Sequence, residues 1–227
     1  MIDARRPYLS LRDLLRIALV LGVVAIALTI WVVVAGSPLS GDLWLTQRIQ
    51  DARGLEANAG IINGLGGWRW LPFALVVALL AVGRRIDGRI VRRSRARAEA
   101  LFAMAAVVAL VYGDNLLKDA VRSHRPVAAL GVRIDEFQTS YGFPSGHVYG
   151  DVLFYGAMAV FAPLWVAPRL VLPVRALLLG IILLAGPARV IVGAHWPSDV
   201  VGGYLWGACA LCLALAFGRW VTSRAAA

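Results

Sequence analysis

Long hydrophobic segments separated by polar loops dominate the pattern of residues along the chain. Six segments stand out, covering residues 17–34, 70–82, 98–117, 148–166, 174–187 and 200–217. A transmembrane helix needs about 20 mostly apolar residues, because the hydrocarbon core of a bilayer is about 30 Å thick. The pattern therefore predicts an all-α, polytopic membrane protein with six transmembrane helices.

Three segments leave their limits open. The second and fifth are short for a bilayer, and the second begins either at Trp70 or near Ile61, with Arg69 then at its outer interface. The first follows a basic start and is either a retained anchor or a signal peptide cleaved at Ala35. Its apolar stretch exceeds the usual signal-peptide core of about 7–15 residues, which favours the anchor.

The composition supports a membrane protein. Of the 227 residues, 60% are hydrophobic and 16% are charged, whereas a soluble domain has fewer apolar and more charged residues. The net charge of +10 comes almost entirely from arginine, since Lys118 is the only lysine. In a membrane protein such an excess is typical of cytoplasmic loops and of contacts with anionic lipid, and we expect no nucleic acid partner.

The basic stretches also predict the orientation. The loop at 83–100 is densely basic, so the positive-inside rule places it in the cytoplasm. Six spans bring the other basic segments to the same side, and these carry Arg5, Arg6, Arg12, Arg16, Arg169, Arg175, Arg219 and Arg224. We therefore expect a multi-pass protein of the cell (inner) membrane with both termini cytoplasmic. The loops at 35–69, 118–147 and 188–199 then face the periplasm or the exterior.

The first outer loop contains a short amphipathic helix, in the stretch "DLWLTQRIQDAR". Leu45, Ile49 and Ala52 fall on one face of it. This pattern predicts either an interfacial helix lying along the membrane surface or an ordinary loop helix packed on the bundle. No repeat or linker interrupts the chain, so residues 1–227 are interpreted as a single domain.

The candidate chemistry collects on the outer side. All three histidines, His124, His147 and His195, lie in or beside outer loops, and so does Lys118. The surrounding stretches are "KDAVRSHRP" at 118–126, "PSGH" at 144–147 and "ARVIVGAHWPSD" at 188–199.

These three stretches resemble the signature motifs of the type 2 phosphatidic acid phosphatase superfamily, which includes lipid phosphatases, vanadium haloperoxidases and bacterial acid phosphatases. The matching positions are Lys118, Arg125, Pro126, residues 144–147, Arg189, His195 and Asp199. Ala188 stands where the family usually has serine, which puts one phosphate contact in doubt. The resemblance covers about residues 98–217, the motif-bearing core, and it implies a phosphatase bundle with an outer-face active site.

The same residues suit phosphate binding on chemical grounds. Lys118 and Arg125 are seven residues apart, so we expect them to share one helical face, and Arg189 offers a second planar donor fork. Ser145 and Gly146 precede a hydrophobic helix, whose free amides and dipole form an anion site. His124, next to Arg125, is a possible substrate contact or a structural residue.

The catalytic roles are predicted for two histidines and one carboxylate. Asp199, four residues after His195, accepts from one ring nitrogen and leaves the other free to attack phosphorus. His147 then acts as general acid and later as general base. Alternatively, Ser198 or Asp199 only caps the helix. The phosphate-binding cations replace a metal, so we expect no cofactor and no metal.

These inferences predict an integral membrane enzyme that hydrolyses a lipid phosphate or diphosphate through a phosphohistidine. By resemblance, its phospholipid or polyprenyl substrate is undecaprenyl diphosphate, phosphatidylglycerol phosphate or phosphatidic acid. One alternative is a lipid phosphotransferase that passes the phosphate to another lipid. The other is a non-catalytic membrane binder or transporter.

Overall fold

The computed structural model describes residues 9–51, 56–82, 85–86, 89–90 and 95–225. Its helices within these ranges are α1 (Leu11–Ala35), α2 (Asp42–Gln50), α3 (Glu56–Trp68), α4 (Trp70–Val82), α5 (Arg95–Leu110), α6 (Gly113–Val121), α7 (Gly146–Val160), α8 (Val171–Ile191) and α9 (Pro197–Arg224). Two strands of two residues each, β1 (Arg85–Ile86) and β2 (Arg89–Ile90), form an antiparallel hairpin that the sequence pattern did not predict. The fold is otherwise helical, as expected.

Four stretches in the described residues are long and apolar enough to cross a membrane. They are Leu11–Ala35, the continuous stretch Arg95–Val121, Pro168–Ile191 and Pro197–Arg224. A fifth is the pair Asn58–Trp68 and Trp70–Val82, which is bent by 43° at Arg69 and counts if it is one broken span. The predicted fourth segment corresponds to α7, which has only 15 residues. The chain is thus a multi-pass membrane protein.

The fifth hydrophobic segment is longer than predicted. The sequence suggested an end at Pro187, but α8 continues through this proline to Ile191. Inside a membrane bundle, neighbouring helices compensate for the backbone hydrogen bond that proline removes. Arg189 therefore lies in the last turn of a helix, whereas the prediction had placed it in a loop.

The predicted shared helical face of Lys118 and Arg125 is wrong. Helix α6 ends at Val121, and Arg122 adopts a left-handed conformation with φ of 54°. Arg125 consequently follows in a loop. The two cations still meet, but the tertiary fold brings them together.

Helix α7 forms the centre of the bundle, and it is buried along nearly its whole length. It packs closely against α9, because two glycines of α9 leave no side chain between the helices. A Cβ atom added at Gly203 would lie 2.8 Å from the carbonyl oxygen of Ser145, and one at Gly207 would lie 3.0 Å from that of Tyr149. These glycines serve helix packing within the chain.

Helix α2 packs on the bundle, as one of the two interpretations of the amphipathic stretch expects. Gln50 donates to the carbonyl oxygens of Arg133 at 2.9 Å and Ile191 at 3.1 Å. Asp42, in the first turn of α2, is buried against the start of α9. Ala52 lies outside the described residues.

The first hydrophobic segment is a 25-residue helix that packs along α9. Trp206 donates to the hydroxyl of Thr29 at 3.1 Å, and Cys209 contacts the carbonyl oxygen of Ala18 at 3.3 Å. Arg5 and Arg6 lie outside the described residues.

Candidate active site

A cavity of about 230 Å³ lies where the last turn of α8 and the amino end of α7 approach α6. Six of the predicted residues line it: Lys118, Arg125, Gly146, His147, Arg189 and His195. Ser145 and Asp199 are fully buried and adjoin it through Gly146 and His195. Residues from four different parts of the chain thus form a single site.

His195 is held between a carboxylate and a guanidinium. Its Nδ1 atom lies 3.3 Å from Oδ2 of Asp199, and its Nε2 atom lies 3.0 Å from Nη1 of Arg125. Arginine can only donate, so Nε2 must be the acceptor and Nδ1 carries the proton. In this tautomer the lone pair of Nε2 accepts from Arg125 beside the cavity, so nucleophilic attack requires phosphorus to replace that hydrogen bond.

The surroundings of His195 also keep it neutral. The residue is only 2% exposed and lies in the loop between α8 and α9. Burial lowers the pKa of its imidazole well below the ordinary value, and the nearby charges of Arg125 and Arg189 lower the pKa further. An unprotonated imidazole is the form that attacks phosphorus.

Asp199 makes both of the contacts that the sequence left as alternatives. Besides facing His195, its Oδ2 atom accepts from the backbone amide of Trp196 at 3.1 Å and so caps α9. Ser123 approaches its other oxygen at 3.4 Å. The carboxylate is therefore fixed by the helix that it caps, and it holds the imidazole in turn.

Arg125 is anchored by the loop around it. Its guanidinium donates to the carbonyl oxygens of Ser140 at 2.6 Å and Ala194 at 2.5 Å, besides the contact with His195. Burial lowers its pKa, but a guanidinium retains its charge in proteins. This fixed cation lies directly beside the candidate nucleophile.

Lys118 is paired with Asp114 one helical turn earlier. The two groups are 2.6 Å apart, and both residues are less than a tenth exposed. The ammonium lies against Gly146, where an added Cβ atom would be 2.7 Å from Nζ. Glycine at this position lets the lysine approach the amino end of α7.

Arg189 makes a two-pronged ion pair with Glu136, a residue that the sequence reasoning did not assign to the site. Its two terminal nitrogens donate to the carboxylate at 2.6 and 3.0 Å, and Gln138 donates to the same carboxylate at 2.6 Å. Arg189 is 1% exposed, and its Nε atom is buried without a hydrogen-bond partner.

The amino end of α7 provides further donors. The amide of Ser145 donates to the carbonyl oxygen of Asp199 at 2.9 Å, which ties α7 to α9. The hydroxyl of Ser145 is buried and has no hydrogen-bond partner. With the free amides of the first turn and the helix dipole, this end suits an anion.

His147 lies in the first turn of α7, is partly exposed and lines the cavity. His124 does not line it. Its side chain is exposed beside a neighbouring loop cavity, and its backbone carbonyl accepts from the indole of Trp196 at 3.0 Å. The geometry therefore brings two of the three histidines together and leaves the third outside.

Two other polar residues near the cavity were missed by the sequence reasoning. Arg69 lines the cavity from the break between α3 and α4, and Asp151 of α7 lies 3.6 Å from it. An arginine beside an apolar segment was visible in the sequence, but the partner 82 positions later was not. Among the described residues, no group of three or more His, Cys, Asp or Glu side chains is arranged to hold a metal ion.

A comparison with protein-family models identifies the family of the chain. The model of the PAP2 superfamily matches residues 98–223, more than half of the chain. The chain belongs to the PAP2 superfamily. The match includes all three motifs, with Ala188 buried near Ala59 where the motif usually has serine.

Curated relatives of this PAP2 protein are named after a lipid phosphatase. The chain is 28% identical over 173 residues to a lipid A 1-phosphatase of Rhizobium johnstonii, covering 70% of this chain. It is also 28% identical over 160 residues to a lipid A 1-phosphatase of Rhizobium etli, covering 65% of this chain. The matches span 66% and 64% of those relatives, just under two thirds of their lengths.

A solved structure shows the same fold. It is the crystal structure of a transmembrane PAP2 type phosphatidylglycerolphosphate phosphatase from Bacillus subtilis. The TM-score is 0.67 at 20% identity, and the match covers 87% of this chain and 93% of that one. The bundle described above is thus a transmembrane PAP2 fold.

Proposed function

We propose that this PAP2 protein is an integral membrane lipid phosphatase that hydrolyses a lipid phosphate or diphosphate at the outer face of the cell membrane. One observation carries the proposal. The buried, neutral His195 turns its unprotonated Nε2 toward Arg125 in a cavity lined by further cations, while Asp199 faces its other nitrogen.

In the first step, the Nε2 atom of His195 attacks phosphorus, and the bond between phosphorus and the leaving oxygen breaks. His147 donates a proton to that oxygen. Asp199 stabilises the positive charge that develops on the imidazole through the hydrogen bond from Nδ1. The products are a phosphohistidine and the free lipid alcohol or lipid phosphate.

In the second step, His147 takes a proton from a water molecule, which attacks the phosphohistidine. Inorganic phosphate leaves, and His195 returns to its neutral form. Lys118, Arg125 and Arg189 stabilise the charge on the equatorial oxygens in both steps. Because these cations supply the electrostatic stabilisation, the reaction requires no metal ion.

The arrangement of the site supports the proposed topology. Charged residues buried in a membrane protein line protein cavities, because exposure to lipid at the bilayer centre costs on the order of 3 kcal/mol each. In the proposed topology the bent α3–α4 pair is the second span and α7 the fourth. Six spans then place the cavity at the periplasmic or exterior side and both termini in the cytoplasm.

The relatives suggest which lipids to test. Two are named for lipid A 1-phosphate and one solved structure for phosphatidylglycerolphosphate, and all of these are phosphate groups on membrane lipids. We propose the same class of substrate, with phosphatidic acid and undecaprenyl diphosphate as further members. The shared requirement is a terminal phosphate carried by an anchor in the outer leaflet.

Phosphate release from this lipid panel by purified protein in detergent, with EDTA present, tests the proposal. We expect release with at least one lipid and no loss with EDTA. His195→Ala should lower the rate by at least about 1,000-fold, since it removes the nucleophile. His124→Ala, a histidine outside the cavity, serves as the matched control.

The intermediate is tested by the same preparation. We expect an acid-labile, base-stable phosphoenzyme to form with the wild type. It should not form with His195→Ala. Full activity of His195→Ala would refute the mechanism. Labelled phosphate that appears on a second lipid without free phosphate would instead indicate a phosphotransferase.

A further inference from the structure

Arg69 occupies an unusual place for a charged residue. It lies at the 43° bend between α3 and α4, two apolar helices that together are long enough to be a broken span. It lines the same cavity as Lys118 and His147. An ionisable residue retained at membrane depth, facing a cavity, points to a function.

The guanidinium of Arg69 is held in place, but not all of its N–H donors have hydrogen-bond partners. Its Nη1 atom donates to the carbonyl oxygen of Gly66 at 2.7 Å and forms an ion pair with the buried carboxylate of Asp151 at 3.6 Å, which is longer than a hydrogen bond. It also lies over the ring of Phe154, 5.8 Å from the centroid. Its Nε atom is buried with no hydrogen-bond partner.

Two cations follow the surface of α7 one turn apart. Lys118 lies against Gly146, and Arg69 lies against Gly150, where an added Cβ atom would be 2.7 Å from the guanidinium carbon. One helical turn corresponds to about 5.4 Å. Lys118 is therefore at the amino end of α7, where phosphorus reacts, and Arg69 lies farther from that end.

The apolar lining of the cavity includes Trp70, which directly follows Arg69 in the chain. Val111 and Tyr112 also belong to this lining, and Trp70 and Tyr112 are 40% and 66% exposed. A lipid whose terminal phosphate reaches His195 would extend its chain along this lining. Arg69 then lies between the reacting phosphate and the lipid chain.

The proposed general acid is on the same side. A Cβ atom added at Gly66, whose carbonyl binds Arg69, would lie 3.2 Å from the ring of His147 and 3.0 Å from the carboxylate of Asp151. His147 and Arg69 therefore approach the same end of the substrate, the end where the leaving group departs.

We infer that Arg69 binds a second phosphate, on the lipid side of the reacting one, and so selects lipid diphosphates over lipid monophosphates. This inference rests on the proposed function. A monophosphate has an alcohol as its leaving group and offers Arg69 no anionic oxygen there. The leaving group of a diphosphate is a lipid monophosphate, and Arg69 stabilises the negative charge that develops on it.

The Nε2 atom of His195 bonds to the terminal phosphorus, and the bond from that phosphorus to the bridging oxygen breaks. The electron pair stays on the bridging oxygen, which takes the proton of His147 and becomes part of the lipid monophosphate next to Arg69. Water then releases inorganic phosphate, and His147 recovers a proton from that water.

The test uses two probes that differ only in the leaving group, farnesyl diphosphate and farnesyl monophosphate. Phosphate release by wild type, Arg69→Gln and Arg69→Lys in detergent gives kcat/KM for each probe. Wild type should prefer the diphosphate. Arg69→Gln should lower the diphosphate-to-monophosphate ratio about 10- to 100-fold, the value of a lost charge-assisted hydrogen bond.

The controls separate recognition from folding. Arg48→Gln changes an exposed arginine of α2 outside the cavity and should keep the wild-type ratio. Arg69→Lys should restore part of the ratio. A loss in Arg69→Gln that is equal for both probes would show that the residue only supports the structure, and it would overturn the inference.

Phosphatidic acid as a third substrate separates the two proposals. Release of phosphate from phosphatidic acid, but from neither farnesyl probe, would overturn the inference and leave the proposed function standing. Release from none of the lipids in the wider panel would overturn both.

Discussion

The carboxylate of Asp42 accepts two hydrogen bonds from Ser198, one from the backbone amide at 2.9 Å and one from the hydroxyl at 2.6 Å. Ser198 directly precedes Asp199, so α2 supports the helix turn that carries the proposed catalytic carboxylate. Asp42→Asn should weaken this support, because only the oxygen of a side-chain amide accepts hydrogen bonds, whereas both carboxylate oxygens do. We expect a loss of about 1–3 kcal/mol in unfolding free energy and a lower kcat. Thermal unfolding and phosphate release measure the two effects.

Asp51→Asn is the matched control, since Asp51 is an exposed carboxylate at the end of the same helix. It should change neither quantity. Equal unfolding temperatures and rates for the wild type and Asp42→Asn would show that the contact contributes nothing to the site.

Asp199→Asn tests the orientation of the nucleophile. Asparagine still fits the site and caps α9 through its carbonyl oxygen, but it no longer stabilises a positively charged imidazole or enforces the tautomer with the proton on Nδ1. We expect kcat to fall on the order of 10³- to 10⁴-fold while the protein remains folded. The comparison is with Asp119→Asn, an exposed carboxylate on α6. A rate near that of the wild type would show that the Asp199 carboxylate takes no part in catalysis.

Glu136→Gln tests the ion pair with Arg189 through its pH dependence. Burial raises the pKa of Glu136, but the hydrogen bonds and charge of Arg189 outweigh this, so the pKa lies below its ordinary value. A carboxylate with a lowered pKa stabilises the fold above its unfolded pKa, and this stabilisation is lost as the pH falls through the folded value. The wild type should therefore be more stable than Glu136→Gln at pH 7, by about 1 kcal/mol because the carboxylate is a third exposed.

That difference should shrink below about pH 4, as the carboxylate becomes protonated in the folded protein. Unfolding curves of both proteins between pH 7 and pH 3 measure it. A constant difference across this range would mean that the charge of Glu136 is not what stabilises Arg189.

Gly203→Ala tests the contact between α7 and α9. The new methyl group would lie 2.8 Å from the carbonyl oxygen of Ser145, so the helices must separate at the site. Overpacking of this kind costs about 1–3 kcal/mol, and the shift of Ser145 should also lower kcat. Gly180→Ala in α8 is the control, since a methyl group there meets no atom within 4 Å. Unchanged stability and rate in Gly203→Ala would contradict the close packing.

The hydrophobic pattern predicted most helices because each requires only a local run of apolar residues. Its errors came from tertiary effects, since α8 passes through Pro187 and α6 ends before Arg125. The motifs predicted six of the residues that line the cavity, but not Arg69. No local pattern indicates Asp42, because its partner lies 156 positions away, and Glu136 is likewise paired across 53 positions.

The hydrogen bond from the Ser145 amide to the Asp199 carbonyl joins the starts of α7 and α9. One helix start presents the anion-binding amides and the other holds the imidazole. When a thicker or thinner bilayer forces α9 to tilt, both ends must move as one body. The spacing between the bound anion and the attacking nitrogen should therefore be insensitive to lipid composition, so that changes in membrane thickness alter access to the cavity more than the chemistry inside it.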